Sequence, residues 1–179
     1  MTEEFDVLIS KMLDKSEENA LIYSNKLAVT NDSEVQNRLL EMLYDKDDEN
    51  MYLAARTLSQ MPGKASILDD FLSACHDKKN QHRNGALVDL LENFDVSDKF
   101  VDIFRLFLNG NFKVSMLAKQ MLDYATFDIS PRTIRKAEKH LEHFLNNIDS
   151  NDGTAIKASE AAEILKELKE LFDDSSHPS

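Results

Sequence analysis

The chain has a single cysteine, Cys75, and no tryptophan. One thiol excludes an internal disulfide and a cysteine-rich zinc site. Glycine and proline are scarce, at four and three of 179 residues. Few turns can then demand unusual backbone angles, and long helices meet few breakers. No apolar run approaches the length of a membrane span. The opening MTEEFDVLISKML lacks the basic start and small-residue cleavage site of a signal peptide. The expectation is therefore a reduced, cytoplasmic, soluble protein. Positive charge is also short: 21 Lys and Arg stand against 33 Asp and Glu, for a net charge of -12. That balance repels nucleic acid phosphates unless a basic patch is segregated, and it favours solubility or basic partners. Apolar residues make up 42%, enough for a real core in one domain.

What the chain does have is repetition. DKSEENALIYSNKL begins at Asp14, and DKDDENMYLAARTL begins at Asp45. Steps of 31 and then 32 residues carry Asp14 to Asp45, Asp77 and Asn109. The same steps align Tyr23, Ala54, Ala86 and Ala118, then Leu27, Leu58, Leu90 and Leu122. Upstream lie Leu8, Leu39, Phe71, Ile103; Ile9, Leu40, Leu72, Phe104; and Met12, Leu43, Cys75, Phe107. Internal repetition at such a period is the sequence signature of a helical solenoid.

Within each copy, apolar residues at helical spacing make two stripes, for example Val35, Leu39, Leu40, Leu43 and then Ala54, Leu58, Met61. Short polar stretches separate them. Helices are expected near 2–13, 16–29, 33–44, 48–61, 66–76, 79–94, 97–109, 111–126, 131–148 and 153–172. N-cap candidates are Ser33, Ser66, Ser97 and Ser130 between copies, and Ser16, Asp47, Lys79 (or Asn80) and Asn111 within them. Ser33 with Gln36 reads as a capping box, and Pro131 suits a first helical position. Gly85 is expected in mid-helix, at a close backbone approach.

With these columns the chain resembles the HEAT and HEAT-like repeats of the α-solenoid class. Those are helix pairs with an Asp in the inner turn and an Ala-xxx-Leu core in the second helix. Here the Asp is Asp14, Asp45 and Asp77, replaced by Asn109; the Ala–Leu cores are Ala54 with Leu58, Ala86 with Leu90 and Ala118 with Leu122. Of the basic residue often found three before that Ala, only Arg83 fits, and Met51 and Ser115 do not. The likeness covers residues 5 to 126 well. It implies an all-α fold, a right-handed α-α superhelix of about five antiparallel helix pairs near 2–29, 33–61, 66–94, 97–126 and 131–172. Residues 1–172 would form a single domain and 173–179 a flexible tail. The last pair departs from the spacing, with longer helices and the turn DSNDG, and reads as a cap.

Several residues could suggest chemistry. Cys75 sits in a core column, so it reads as core rather than nucleophile. His140 and His143 share a helix face, but no third metal ligand stands at a convincing spacing. Asp14, Asp45 and Asp77 lie a repeat apart, too far for a catalytic dyad, and read as turn caps. The acidic run at 45–50 suits a helix start. No phosphate-cradling glycine loop or triad appears. Catalytic, cofactor and metal residues are therefore expected to be absent, and the protein is read as no enzyme.

Two surfaces remain as partner-binding candidates. In PRTIRKAEKHLEH, residues Arg132, Arg135, Lys136 and Lys139 fall on one helical face, extended by His143, with Ile134, Ala137, Leu141, Phe144 and Leu145 on the apolar side. That stripe either meets an acidic partner or phosphate, or faces solvent and pairs with the protein's own carboxylates. Tyr52, Arg56, Val88, Met116 and Gln120 fall off the core columns of the second helices, which line the concave face in HEAT-like stacks. They form either a mixed groove or part-buried contacts between repeats. The expected function is a protein–protein interaction scaffold or adaptor, its partner an unidentified protein or peptide. Charge also permits an acidic inhibitor, an immunity-type protein or a nucleic-acid mimic. A DNA glycosylase or lyase on this scaffold would call for a basic, aromatic groove, which the acidity and the lack of tryptophan argue against. The sequence is silent on oligomeric state.

Overall fold

A computed structural model describes residues 3–147 and 152–175. Among them every regular element is helical: α1 Glu3–Leu13, α2 Ala20–Ala28, α3 Ser33–Met42, α4 Asp48–Gln60, α5 Leu68–His76, α6 Gly85–Leu90, α7 Phe100–Asn109, α8 Phe112–Tyr124, α9 Pro131–Asn147 and α10 Asp152–Ser175. Short 3-10 turns occupy Lys64–Ser66, Lys78–Asn80 and Leu91–Asn93. Sequence neighbours pack as pairs: α1 with α2, α3 with α4, α5 with α6, α7 with α8 and α9 with α10. The expected DSNDG turn falls largely outside the described residues, as do 176–179. The helix expected to end near 172 runs to Ser175.

The repeat columns are mostly core. Leu27, Leu58, Ala54, Ala118, Leu39, Phe71, Ile103, Phe104, Leu43 and Cys75 have no exposed surface. The aspartate row is a repeated device as well. Asp14 Oδ1 accepts from the Ser16 N–H at 2.9 Å, Asp45 Oδ1 from Asp47 at 2.8 Å and Asp77 Oδ1 from Lys79 at 2.7 Å. Each carboxylate closes the same turn on the residue two ahead, the local bonding short acidic side chains favour.

Contacts divide the chain into two compact units, Met1–Asp95 and Val96–Ser179, where the sequence suggests one array. In the first unit α2 packs on α4 and α4 on α6. Asp47 caps α4 as expected, accepting from the N–H groups of Glu49 and Asn50. α3 begins at Ser33, where expected, but its cap is one residue earlier: Asp32, not Ser33, accepts from Glu34 and Val35, so the Ser33–Gln36 box does not form. α2 begins at Ala20, later than its periodicity suggests. The Ser16 and Asn19 N–H groups bond to the carboxylates of Asp14 and Glu17, which holds residues 14–19 in turns. Gly63 follows α4 with φ of 74°, a left-handed conformation open to glycine at little strain.

The third copy departs most. Instead of one helix over 79–94, a 3-10 turn leads through further turns to α6, only six residues long. Gly85 is its first residue, not a mid-helix one. Asn80, the expected substitute cap, is wholly buried. Its Nδ2 donates to the backbone oxygens of Leu43 and Ala74, at 3.1 and 3.0 Å. Asn84 Nδ2 donates to Cys75 O at 2.7 Å. Side chains bound into tertiary contacts outcompete the regular helix.

In the second unit α7 packs against α8, α9 and α10. Asn111 caps α8 and Ser130 caps α9, each accepting an N–H at 3.1 Å, and Pro131 opens α9. The N-cap positions of α5 and α7 fall on Ile67 and Lys99, not on Ser66 and Ser97: α5 starts at Leu68 and α7 at Phe100. Between α7 and α8 lies Gly110. A Cβ there would meet Leu106 O at 2.6 Å and the Val114 side chain, so only glycine lets the chain turn this tightly.

Lys157 of α10 secures the same corner. Its Nζ donates to the carbonyls of Leu108 and Gly110, each at 3.2 Å, and to Ser115 Oγ at 2.8 Å. These carbonyls end α7, where positive charge is favourable. Burial pushes the ammonium below the ordinary lysine value of 10.5. Lys157→Met is expected to lower the stability of this unit by about 1 kcal/mol at neutral pH. The folded chain sheds this proton before the unfolded one. The wild-type advantage over Lys157→Met should therefore grow as pH rises toward 10.5. Urea titrations of both proteins across that range check the sign.

Candidate functional site

α9 is amphipathic by sequence and sits accordingly. Ile134, Ala137, Leu141 and Phe144 are buried. Leu145, expected on that apolar side, is 52% exposed. Arg132, Arg135, Lys136 and Lys139 are all exposed, as is His143. Among the described residues none of the four cations pairs with a carboxylate. On a helix their spacing spans an arc of about 100°, so like charges stand side by side, an arrangement that opposes helix stability.

The acidic run behaves differently. Lys15 Nζ bridges Asp47 and Glu49 at 2.9 and 2.7 Å, and Arg83 pairs with Asp48 at 3.0 Å. Lys15 and the backbone N–H groups hold the Asp47 carboxyl below its ordinary range. This patch has internal partners and a capping role.

Along one side the cationic stripe borders a cleft between α7 and α9, of about 470 Å³. Arg132, Thr133, Lys136 and His140 line it from α9. Val101, Asp102 and Arg105 line it from α7, with Asp98 from the preceding loop. Arg105 Nη1 lies 3.4 Å from Asp102, and Asp98 pairs with Lys99 at 2.9 Å. The Thr133 hydroxyl meets Ser130 Oγ at 2.8 Å. Burial lowers the pKa of the partly exposed His140, with Arg105 and His143 adding to the effect and Asp102 opposing it. The imidazole is thus mainly neutral at pH 7. Sequence reading found the α9 half of this cleft and missed the α7 half. Asp98, Asp102 and Arg105 do recur at helical spacing as the polar face of an otherwise apolar segment, which is the signal that could have found them.

The off-column residues of the second helices do not form one set. Val88 has no exposed surface and belongs to the core, with Gly85 and Leu87 of the short α6. Arg56 Nη1 donates to Ser24 Oγ and Asn25 Oδ1, both at 2.9 Å. Tyr52 is 41% exposed. Met116 and Gln120 are exposed on α8 together with Phe112 and Tyr124, which sequence reading did not single out. All four share the same four-residue spacing.

Cys75 is fully buried, and burial pushes its thiol far above the ordinary range. Among the described residues no group of three His, Cys, Asp or Glu side chains could hold a metal ion, and no helix is long and apolar enough to cross a membrane. Comparison with family models, curated proteins and solved structures finds no match for this chain.

Proposed function

We propose that this protein is a non-enzymatic protein-binding module of the helical-repeat type, and that it docks an acidic segment of a partner protein on the cationic face of α9. One observation carries the reading. In a chain of net charge -12, four adjacent cations stand on one helix face with no carboxylate partner among the described residues, while the acidic run is paired. Such a face repels itself, and an incoming anionic segment relieves that repulsion. The repeat columns and the likeness to HEAT-like proteins support a scaffold role.

The test uses fluorescein-labelled polyglutamate as probe. Arg135→Glu with Lys139→Glu should weaken binding by roughly tenfold or more, with the circular dichroism spectrum unchanged. Added salt should weaken wild-type binding. Unchanged affinity in the double variant would remove α9 as the docking surface. Equally stripe-dependent binding of a DNA duplex that outcompetes the peptide would replace the protein partner with a nucleic acid.

A further inference from the structure

We propose that the α7–α9 cleft is an oxyanion pocket that takes a phosphorylated side chain of the docked acidic segment, held by Arg105, Arg132 and Lys136, and that His140 gains a proton as it binds. The inference rests on the reading of α9 as the docking surface and names what anchors the segment there.

The argument begins with charge. The cleft is lined by three permanent cations and two carboxylates, Asp98 and Asp102. Both carboxylates already face cations, Lys99 and Arg105. Arg132 and Lys136 have no such partner among the described residues and leave a surplus of two positive charges. A phosphate monoester carries a charge of about -1.5 to -2 at neutral pH, which that surplus matches. A protonated His140 beside it adds a further favourable charge.

Geometry agrees. Two helices supply the cations, so donors approach from both walls. A phosphate offers three acceptor oxygens, one each for Arg105, Arg132 and Lys136. A carboxylate offers two, one fewer than the three cations can meet. The cleft, at about 470 Å³, has room for a phosphate group, and Arg135 and Lys139, exposed on the same helix, are left to meet flanking acidic residues.

His140 lies in this cleft within the fields of Asp102 and Arg105 from α7, and of Lys136, Lys139 and His143 from its own helix. α10 packs on the other side of α9, where Glu138 pairs with Lys169, and gives no residue to the cleft. Positive neighbours and burial now disfavour the imidazolium. A bound dianion reverses the sign of the nearest field, so the protonated form becomes the favoured one.

Sulfate is the first probe, because it stays a dianion across the histidine range. The His140 imidazole is titrated by NMR in sodium sulfate and in sodium chloride at matched ionic strength. The expected result is a midpoint about one pH unit higher in sulfate. Arg132→Gln with Lys136→Gln should abolish the difference while the protein stays folded by circular dichroism. Equal midpoints in the two salts, or a sulfate effect that survives in the double variant, would overturn the pocket. The second probe is polyglutamate with one central phosphoserine, compared with the same peptide bearing serine. The phosphopeptide should bind about tenfold tighter at pH 7 and raise the His140 midpoint. Equal affinities would sink the phosphorylated anchor yet leave α9 as a docking face. Loss of all peptide binding alongside an intact sulfate effect would sink the docking face instead.

Discussion

Phe104→Ala is expected to destabilise the second unit by about 3–5 kcal/mol, the range for emptying a large buried aromatic site. Phe104 has no exposed surface and lies on α7, the helix that α8, α9 and α10 all pack against. Its ring stands 5.8 Å from that of Phe100 and 6.5 Å from that of Phe107. Phe100 in turn meets Phe127 edge-on at 5.4 Å. Removing the central ring leaves a cavity that three packed helices cannot close without moving together. Because the chain lacks tryptophan, the measurement is urea denaturation followed by far-UV circular dichroism. Phe104→Leu, which keeps most of the volume, should cost far less. A loss below about 1 kcal/mol for the alanine variant would show that the aromatic cluster is not the core of this unit. Function is linked to the same packing. α7 forms one wall of the cleft, so a loosened α7 should also weaken the His140 response to sulfate.

The same side chains show what sequence reading could reach. Phe104, Ile103 and Phe107 were legible because burial repeats with the period of the copies, and a repeated environment leaves a repeated residue type. The aspartate turns were legible for the same reason, since each solves the same local hydrogen-bonding problem. Val88 was not. It shares a register with half-buried Arg56 and exposed Gln120, yet on the shortened α6 it is fully buried. Nothing within one period announces such a change. The cleft was half legible: the α9 stripe is a property of one helix, whereas its pairing with Asp102 and Arg105 is a tertiary fact. The division at Asp95 was hidden as well, because the columns keep their spacing straight across it.

Asn80 shows why the third copy could not follow the others, and it carries the second large expected effect. Asn80→Ala should destabilise the first unit by about 3 kcal/mol. The side chain is fully buried and every polar atom has a partner. Nδ2 donates to Leu43 O near the end of α3 and to Ala74 O near the end of α5. Oδ1 accepts from Nε and Nη2 of Arg83, at 3.3 and 3.1 Å. One amide thus joins two helix C-termini, where carbonyls run short of donors; Ala74 O also accepts from the Asp77 N–H, at 3.4 Å. Alanine leaves both carbonyls without this donor and the guanidinium without one of its acceptors. Each buried group left unsatisfied costs about 1–3 kcal/mol. Aspartate at this position is the sharper control, being nearly the same size but without the amide donor. It should be at least as destabilising as alanine, because it would place a negative charge against two carbonyl oxygens. Asn80→Asp matching wild type in urea denaturation would show that shape rather than hydrogen bonding fixes this site. The regular helix expected over 79–94 gives way here because bonding across the core outweighs the helical bonds lost.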